Sequence, residues 1–220
     1  MKLHSKIYGW DYVWRDFADE MKGQLVEDES TGKPSITSLY VPVPAESWIL
    51  TFNPFVYRGH KTHTGTTVTA AFNALDDFSF AIYNEKLGSQ FSKLLGMQDL
   101  QIGEAAFDSK FIVQGSDKAR VLDLFGDVQL QDLVLAQPES LQFRILAETS
   151  SAFHSEWRVP PGYKVLAYTQ ESLVDDFNVL QSIYELMVIS LKQLCAIGAT
   201  GTPISQPAPQ RALRSVFLQR

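Results

Sequence analysis

The sequence predicts an α+β fold in which mainly antiparallel strands pack against helices, with a long helix near the C-terminus. Three observations lead there. Four extended segments between residues 37 and 83 follow one another through connectors too short for helical crossovers. An amphipathic helix precedes them. Late in the chain, Leu173, Phe177, Leu180, Tyr184, Met187, Leu191 and Leu194 alternate steps of four and three, which keeps them on one helical stripe.

Taken in order, Trp10, Trp14, Phe17 and Met21 recur at helical spacing and Gly23 stands where a helix stops, so a helix is expected over 10–22. Residues 27–35 are polar turn formers and predict an exposed loop. Thr37–Val43, Ser47–Asn53, Thr66–Phe72 and Phe78–Tyr83 then alternate or are rich in β-branched residues and predict a four-stranded meander. Trp48, Leu50 and Phe52 should share one face, as should Phe78, Phe80 and Ile82. Phe91, Leu94 and Leu95 ahead of Gly96 suggest a short helix.

Phe107, Ser109, Phe111 and Val113 alternate, which predicts a strand over Phe107–Gln114. Ser116 or Asp117 can cap the helix that follows, and Asp127 another that stops before Pro138. Three further strands are expected at Leu141–Leu146, Ala152–Val159 and Tyr163–Thr169, the last two joined by a Pro160-Pro161-Gly162 turn. The final helix should start from a cap at Ser172 and run ~25 residues at 1.5 Å each, long enough to cross a sheet. Its stripe is widened by Ile183, Val188 and Ile189, which favours a core helix over a coiled-coil seam. Residues 1–198 thus read as one α+β domain, and residues 199–220 as a Pro-rich basic tail.

The formal charge of −6 offers no clustered cations for phosphate backbones or anionic lipid, so neither nucleic acid nor membrane is an expected partner. The tail carries Arg211, Arg214 and Arg220 without an acid; −6 less +3 leaves −9 on the body. One cysteine, Cys195, closes no intrachain disulfide, and Met1 to Lys6 lack the apolar run of a secretory signal, so the chain reads as cytoplasmic.

Few constellations carry chemistry. His60 and His63 lie three apart in a Gly- and Thr-rich stretch and are weak metal candidates, because a site needs a third ligand and none is close. The alternative is a polar hairpin loop. Cys195 falls beside Leu191 and Leu194 and reads as a buried structural thiol more readily than as a nucleophile served by His154. Asp76-Asp77 and Asp175-Asp176 read as turn and helix-start acids, since sequence neighbours do not face each other. Phosphate loops, nucleophile elbows and zinc-protease signatures are missing, and no cofactor is expected.

Three motifs, Trp14-Arg15-Asp16-Phe17-Ala18, Phe107-Asp108-Ser109-Lys110-Phe111 and Cys195-Ala196-Ile197-Gly198, resemble a group of bacterial proteins of unknown function. The resemblance implies no activity and no catalytic residue, and the basic tail departs from it. On the residues alone, Asp108 and Asp117 are fold determinants with some room for a further role.

Two functions stay open. One is a non-catalytic binding or scaffold module that self-associates. Its homodimer would form through the tail, where Leu213, Val216 and Phe217 stand at helical spacing beside Arg211 and Arg214. The other is an enzyme or small-ligand carrier with a pocket between the sheet and the last helix, its polar handles drawn from Tyr184, Trp157 or His154.

Overall fold

The computed structural model describes residues 9–29, 35–44, 46–58, 62–84, 98–146, 149–152, 155–201 and 210–212. The elements run α1 (Trp10–Met21), β1 (Gln24–Asp28), β2 (Ser35–Pro42), β3 (Ile49–Arg58), β4 (Thr62–Asn73), β5 (Phe80–Tyr83) and β6 (Gln98–Leu100). There follow α2 (Ala105–Lys110), β7 (Ile112–Gly115), α3 (Lys118–Leu124), α4 (Val128–Leu135), β8 (Gln142–Leu146), β9 (Thr149–Ala152), β10 (Ser155–Arg158), β11 (Tyr163–Gln170), α5 (Phe177–Ala196) and β12 (Gln210–Ala212).

Among the described residues, nine strands form one antiparallel sheet in the order β1-β2-β3-β4-β11-β8-β5-β7-β6. The expected α+β class, with its long C-terminal helix, is what the chain adopts. The meander is right for β2, β3 and β4, but β5 does not continue it. Strands β11 and β8 lie between β4 and β5, because β11 offers β4 eight paired positions, from Tyr163 opposite Asn73 to Gln170 opposite Thr66.

One face of the sheet is apolar and helix-covered. Leu50, Phe52, Val68, Phe72, Phe143 and Leu166 all point to it and join a single cluster with α1 and α5. Phe52 meets Phe17 edge-on at 5.5 Å and Trp14 at 6.3 Å, and Phe80 meets Phe143 at 5.4 Å and Phe125 at 5.3 Å. Edge-to-face rings add to area burial because the positive edge of one meets the negative face of the other. Trp48, Leu50 and Phe52 are buried as expected, and so are Phe78, Phe80 and Ile82. The Trp14, Phe17 and Ala18 of the first motif are core residues.

Several boundaries move for local reasons. Helix α1 ends in a left-handed Lys22 (φ 53), after which Gly23 donates to Ala18 O at 2.8 Å. A Cβ on Gly23 would lie 2.8 Å from Leu39 Cδ1 and 2.9 Å from Tyr40 O, so the chain needs glycine where it turns beside β2. The expected loop over 27–35 begins later than predicted, since β1 runs to Asp28 and pairs with β2. The strand expected over Phe107–Gln114 is instead helix α2 followed by β7. There Glu104 accepts from Phe107 N–H at 2.7 Å, and Phe107 and Phe111, four apart, meet at 5.8 Å. Phe107 and Phe111 suit both periods, and the cap decides for the helix.

Asp117, not Ser116, caps α3 by accepting from Arg120 N–H, while Ser116 Oγ accepts from Ser79 N–H. Asp127 caps α4 as expected. The strand expected over Ala152–Val159 is split between β9 and β10, and the turn after β10 places Gly162 at φ 83. The last helix is 20 residues long and starts at Phe177, because Asp176 rather than Ser172 receives the amide protons of Asn178 and Val179. Ser172 bonds Gln170 instead. The chain stays on the body past Gly198: Ala199 N–H donates to Leu194 O, and Thr200 bridges Ala74. Further on, the backbone of β12 pairs with β10 of the same chain, in a small sheet ordered β12-β10-β9.

The expected helix around Phe91 to Leu95 lies outside the described residues, as do His60, His154, Leu213, Arg214, Val216 and Phe217. None of the described helices is long and apolar enough to cross a membrane.

Candidate functional site

Two places on the sheet concentrate polar groups, and they lie on opposite faces of β11. Along that strand Tyr168 and Gln170 point to the helix-covered side, while Ala167 and Thr169 point to the other.

On the helix-covered side, a cleft of about 580 Å³ opens where the end of α4, the end of β11 and the start of α5 converge. Two clamps fix its walls. Trp14 Nε1 donates to Val174 O at 2.9 Å and Val174 N–H donates to Thr66 Oγ1 at 2.9 Å, which ties the segment before α5 to α1 and β4. Lys110 Nζ donates to Leu135 O at 2.6 Å and Gln137 O at 2.7 Å, taking up carbonyls that the end of α4 leaves without partners. Lys110, the fourth residue of the second motif, therefore positions Gln137.

The floor is a hydrogen-bonded network. The Tyr168 hydroxyl lies 3.0 Å from Gln137 Oε1 and 2.5 Å from Gln170 Oε1, so its single proton serves two carbonyl oxygens. Gln137 Nε2 donates to Leu133 O at 2.8 Å and Ser182 Oγ at 3.1 Å; Gln170 Nε2 donates to Ser172 Oγ at 2.6 Å. Both serine hydroxyls are thus acceptors toward the floor, which leaves their protons for whatever fills the cleft. Burial raises the Tyr168 pKa well above 10, so the phenol is neutral. The exposed rim carries Asp175 and Asp176, and among the described residues the lining includes neither Lys nor Arg.

The second place is the opposite face of the sheet, where two neighbouring cross-strand rows are mostly polar. One row runs Thr51, Thr69, Ala167, Arg144; the next runs Asn53, Thr67, Thr169, Gln142. All but Arg144 are buried. Thr67 and Thr169 hydroxyls are 3.5 Å apart, and Asn53 Nδ2 donates to Ser38 Oγ at 2.6 Å. Yet Thr51 Oγ1, Thr69 Oγ1, Asn53 Oδ1 and both amide atoms of Gln142 have no partner among the described residues. Burial lowers the Arg144 pKa to about 10, which leaves the guanidinium charged at neutral pH. Beside these rows Leu146, Val165 and Ala167 form a small apolar cluster under Val159.

The residues singled out in the sequence fall elsewhere. His63 stands in β4 opposite Tyr57, and Arg211 in β12 opposite Trp157; His60 is outside the described residues. Among the described residues, no group of three or more potential metal ligands occurs. Tyr184 is half-buried on α5 and does not line the cleft. Cys195 is half-buried rather than buried; desolvation raises its pKa, and its Sγ lies 3.9 Å from Gly201 O. Its place at the end of α5, turned toward the segment that leaves the helix, keeps it out of the closed stripe.

The acids serve the backbone. Asp108 accepts from the amides of Ile102 and Gly103, Asp176 caps α5, and Asp76 accepts from Phe78 N–H while pairing with Arg120 at 2.5 Å. Burial would raise the Asp76 pKa, but these donors outweigh it and hold the carboxyl below its usual value. The polar residues that matter for the cleft, Gln137, Tyr168, Gln170 and Ser182, give no sequence signal beyond polar letters interrupting apolar segments. Against family models, curated proteins and solved structures, the chain has no match.

Proposed function

We propose that this chain is a non-catalytic binding module whose cleft at the start of α5 takes a small polar molecule, neutral or cationic. The network that fixes Gln137, Tyr168 and Gln170 carries this reading, because it uses Ser172 and Ser182 as acceptors and leaves their hydroxyl protons for a ligand, while Asp175 and Asp176 line the rim. A fixed floor with few oriented polar groups is what a ligand pocket needs, and most of the cost of binding is then met before the ligand arrives.

Binding rather than catalysis fits the titratable groups. Tyr168 is held neutral by burial and is no base near pH 7, and Asp176 is engaged by two backbone amides. Tyr184, one of the handles the sequence suggested, does not line the cleft, while His154 and the side chain of Trp157 lie outside what is described; the small-ligand alternative likewise puts its pocket between the sheet and the last helix. Among the described residues, the exposed large apolar side chains, Tyr12, Val26, Val56, Leu75, Val128 and Val179, are spread over six different segments and form no single patch for self-association.

Ethanolamine is a suitable probe, with an ammonium for the acidic rim and a hydroxyl for the serines. Titration followed by two-dimensional NMR should shift the amides of Ser172, Asn178 and Ser182 first, and Ser182→Trp, which fills the cleft, should abolish the response. Shifts scattered over the surface, or a response unchanged in Ser182→Trp, would refute the reading.

A further inference from the structure

The network under the cleft is one proton short. Two carbonyl oxygens, Gln137 Oε1 and Gln170 Oε1, meet the Tyr168 hydroxyl, which has a single proton to give, and among the described residues no other group donates to either oxygen. Turning an amide over only moves the shortage. Gln137 Nε2 faces Leu133 O at 2.8 Å and Gln170 Nε2 faces Ser172 O at 3.2 Å, so a turned amide would set its oxygen against a backbone carbonyl. The phenol proton therefore goes to one glutamine at a time, and the other glutamine oxygen faces a lone pair of the phenol.

Both glutamines line the cleft and yet are at most 4% exposed, so the odd oxygen belongs to a wall and not to the open surface. Beside that wall lies a space of about 580 Å³ from which a donor can approach. The charges around it favour a cation. Asp175 and Asp176 stand at the rim, and Asp176 already takes the amides of Asn178 and Val179, so the start of α5 is filled by the chain's own carboxylate and offers little to an anion.

We propose that the cleft selects a small primary amine in its ammonium form, an inference that rests on the reading of the cleft as a ligand pocket. An ammonium carries three N–H donors and no acceptor, so one proton serves the odd glutamine oxygen and the others serve the acidic rim. Charge alone does not suffice, because a quaternary ammonium meets the acids but brings no proton to the glutamines. A neutral hydroxyl brings a proton, but its hydrogen bond is about half as strong as one from a charged donor.

Three probes separate these contributions: ethanolamine; choline, which keeps the hydroxyl and the charge but has no N–H; and ethylene glycol, which puts a second hydroxyl in place of the ammonium. Each is titrated into the full-length protein at neutral pH and followed by NMR at the side-chain amides of Gln137 and Gln170. Ethanolamine should act at concentrations about tenfold or more below the other two. Gln170→Met leaves one proton for one oxygen and should bring choline to within about threefold of ethanolamine. If that variant does not fold, Tyr168→Phe, which removes the phenol proton and leaves both oxygens to the ligand, should keep or enlarge the preference for ethanolamine over choline. Equal responses to ethanolamine and choline mean that charge at the rim selects, and equal responses to ethanolamine and ethylene glycol mean that any hydroxyl is accepted. Either result overturns this inference and leaves the cleft standing as a ligand pocket. A preference that is unchanged in Gln170→Met, or lost in Tyr168→Phe, also overturns it. Silence toward all three probes removes the inference and the pocket together.

Discussion

Gln142 and Phe143 are consecutive residues of β8, equally inaccessible at 1% and 0% exposure, yet they sit in opposite chemical worlds. Phe143 meets Phe80 edge-on inside a core built from both the sheet and the helices. Gln142 has two amide atoms and no partner for either among the described residues. Alternation delivers side chains to both faces of a strand alike, so burial by itself does not say which face stabilises the fold. The helix-covered face gains from every residue it hides. The polar face gives up about 1–3 kcal/mol for each buried group left unserved.

The largest effect should come from the helix-covered face. Phe143→Ala removes a ring from a closed aromatic cluster and should cost about 3–5 kcal/mol in denaturant unfolding, from lost transfer energy and the cavity left behind. A loss below about 2 kcal/mol would mean that the cluster collapses around the gap, and the contrast between the faces would be weaker than the geometry implies.

Tyr168→Phe sharpens the comparison, because Tyr168 is the polar exception on the apolar side and its hydroxyl is served. Deleting it leaves the carbonyl oxygens of Gln137 and Gln170 without their donor, at about 1–3 kcal/mol. The pH dependence has a definite sign. The folded pKa lies above the ordinary 10, so the unfolded chain gives up this proton first; the stabilisation is complete below about pH 10 and declines as pH rises beyond it. Stability measured from pH 8 upward should therefore fall on an alkaline limb that is shallower in Tyr168→Phe. It should not vanish, since burial also raises Tyr83 and Tyr184. Identical limbs in the two proteins would show that the phenol is not held as described.

Much of this architecture is legible from periodicity. The stripe from Leu180 to Leu194 and the alternation in Trp48, Leu50 and Phe52 each follow from spacing that only one element satisfies. Phe107 and Phe111 fail as predictors because a spacing of four fits both a strand face and a helix turn, and the glutamate cap that decides between them looks like any surface acid. The break between β4 and β5 is illegible for another reason: a short connector shows that two strands are close in sequence, not that they pair, and β11 arrives some 90 residues later to take the place beside β4. The cleft is hidden in the same way. Gln137, in the turn after α4, Tyr168 in β11 and Ser182 in α5 are far apart in sequence and meet only once β11 and α5 are in place.

The smallest expected effect is the one most able to undo the contrast. Gln142→Met keeps the length of the side chain and removes both amide atoms, which have no partner among the described residues, so the change should be neutral or should stabilise by up to about 1 kcal/mol. Methionine also fits irregular gaps without fixed geometry, which limits any steric cost. Because Phe143→Ala next door is expected to cost several times as much in the opposite direction, the pair measures the two faces from one strand with the same backbone. Denaturant midpoints at equal slope give both numbers. If Gln142→Met instead costs more than about 1 kcal/mol, the amide is already satisfied in the folded protein, and the polar face is a served interior like the one around Tyr168.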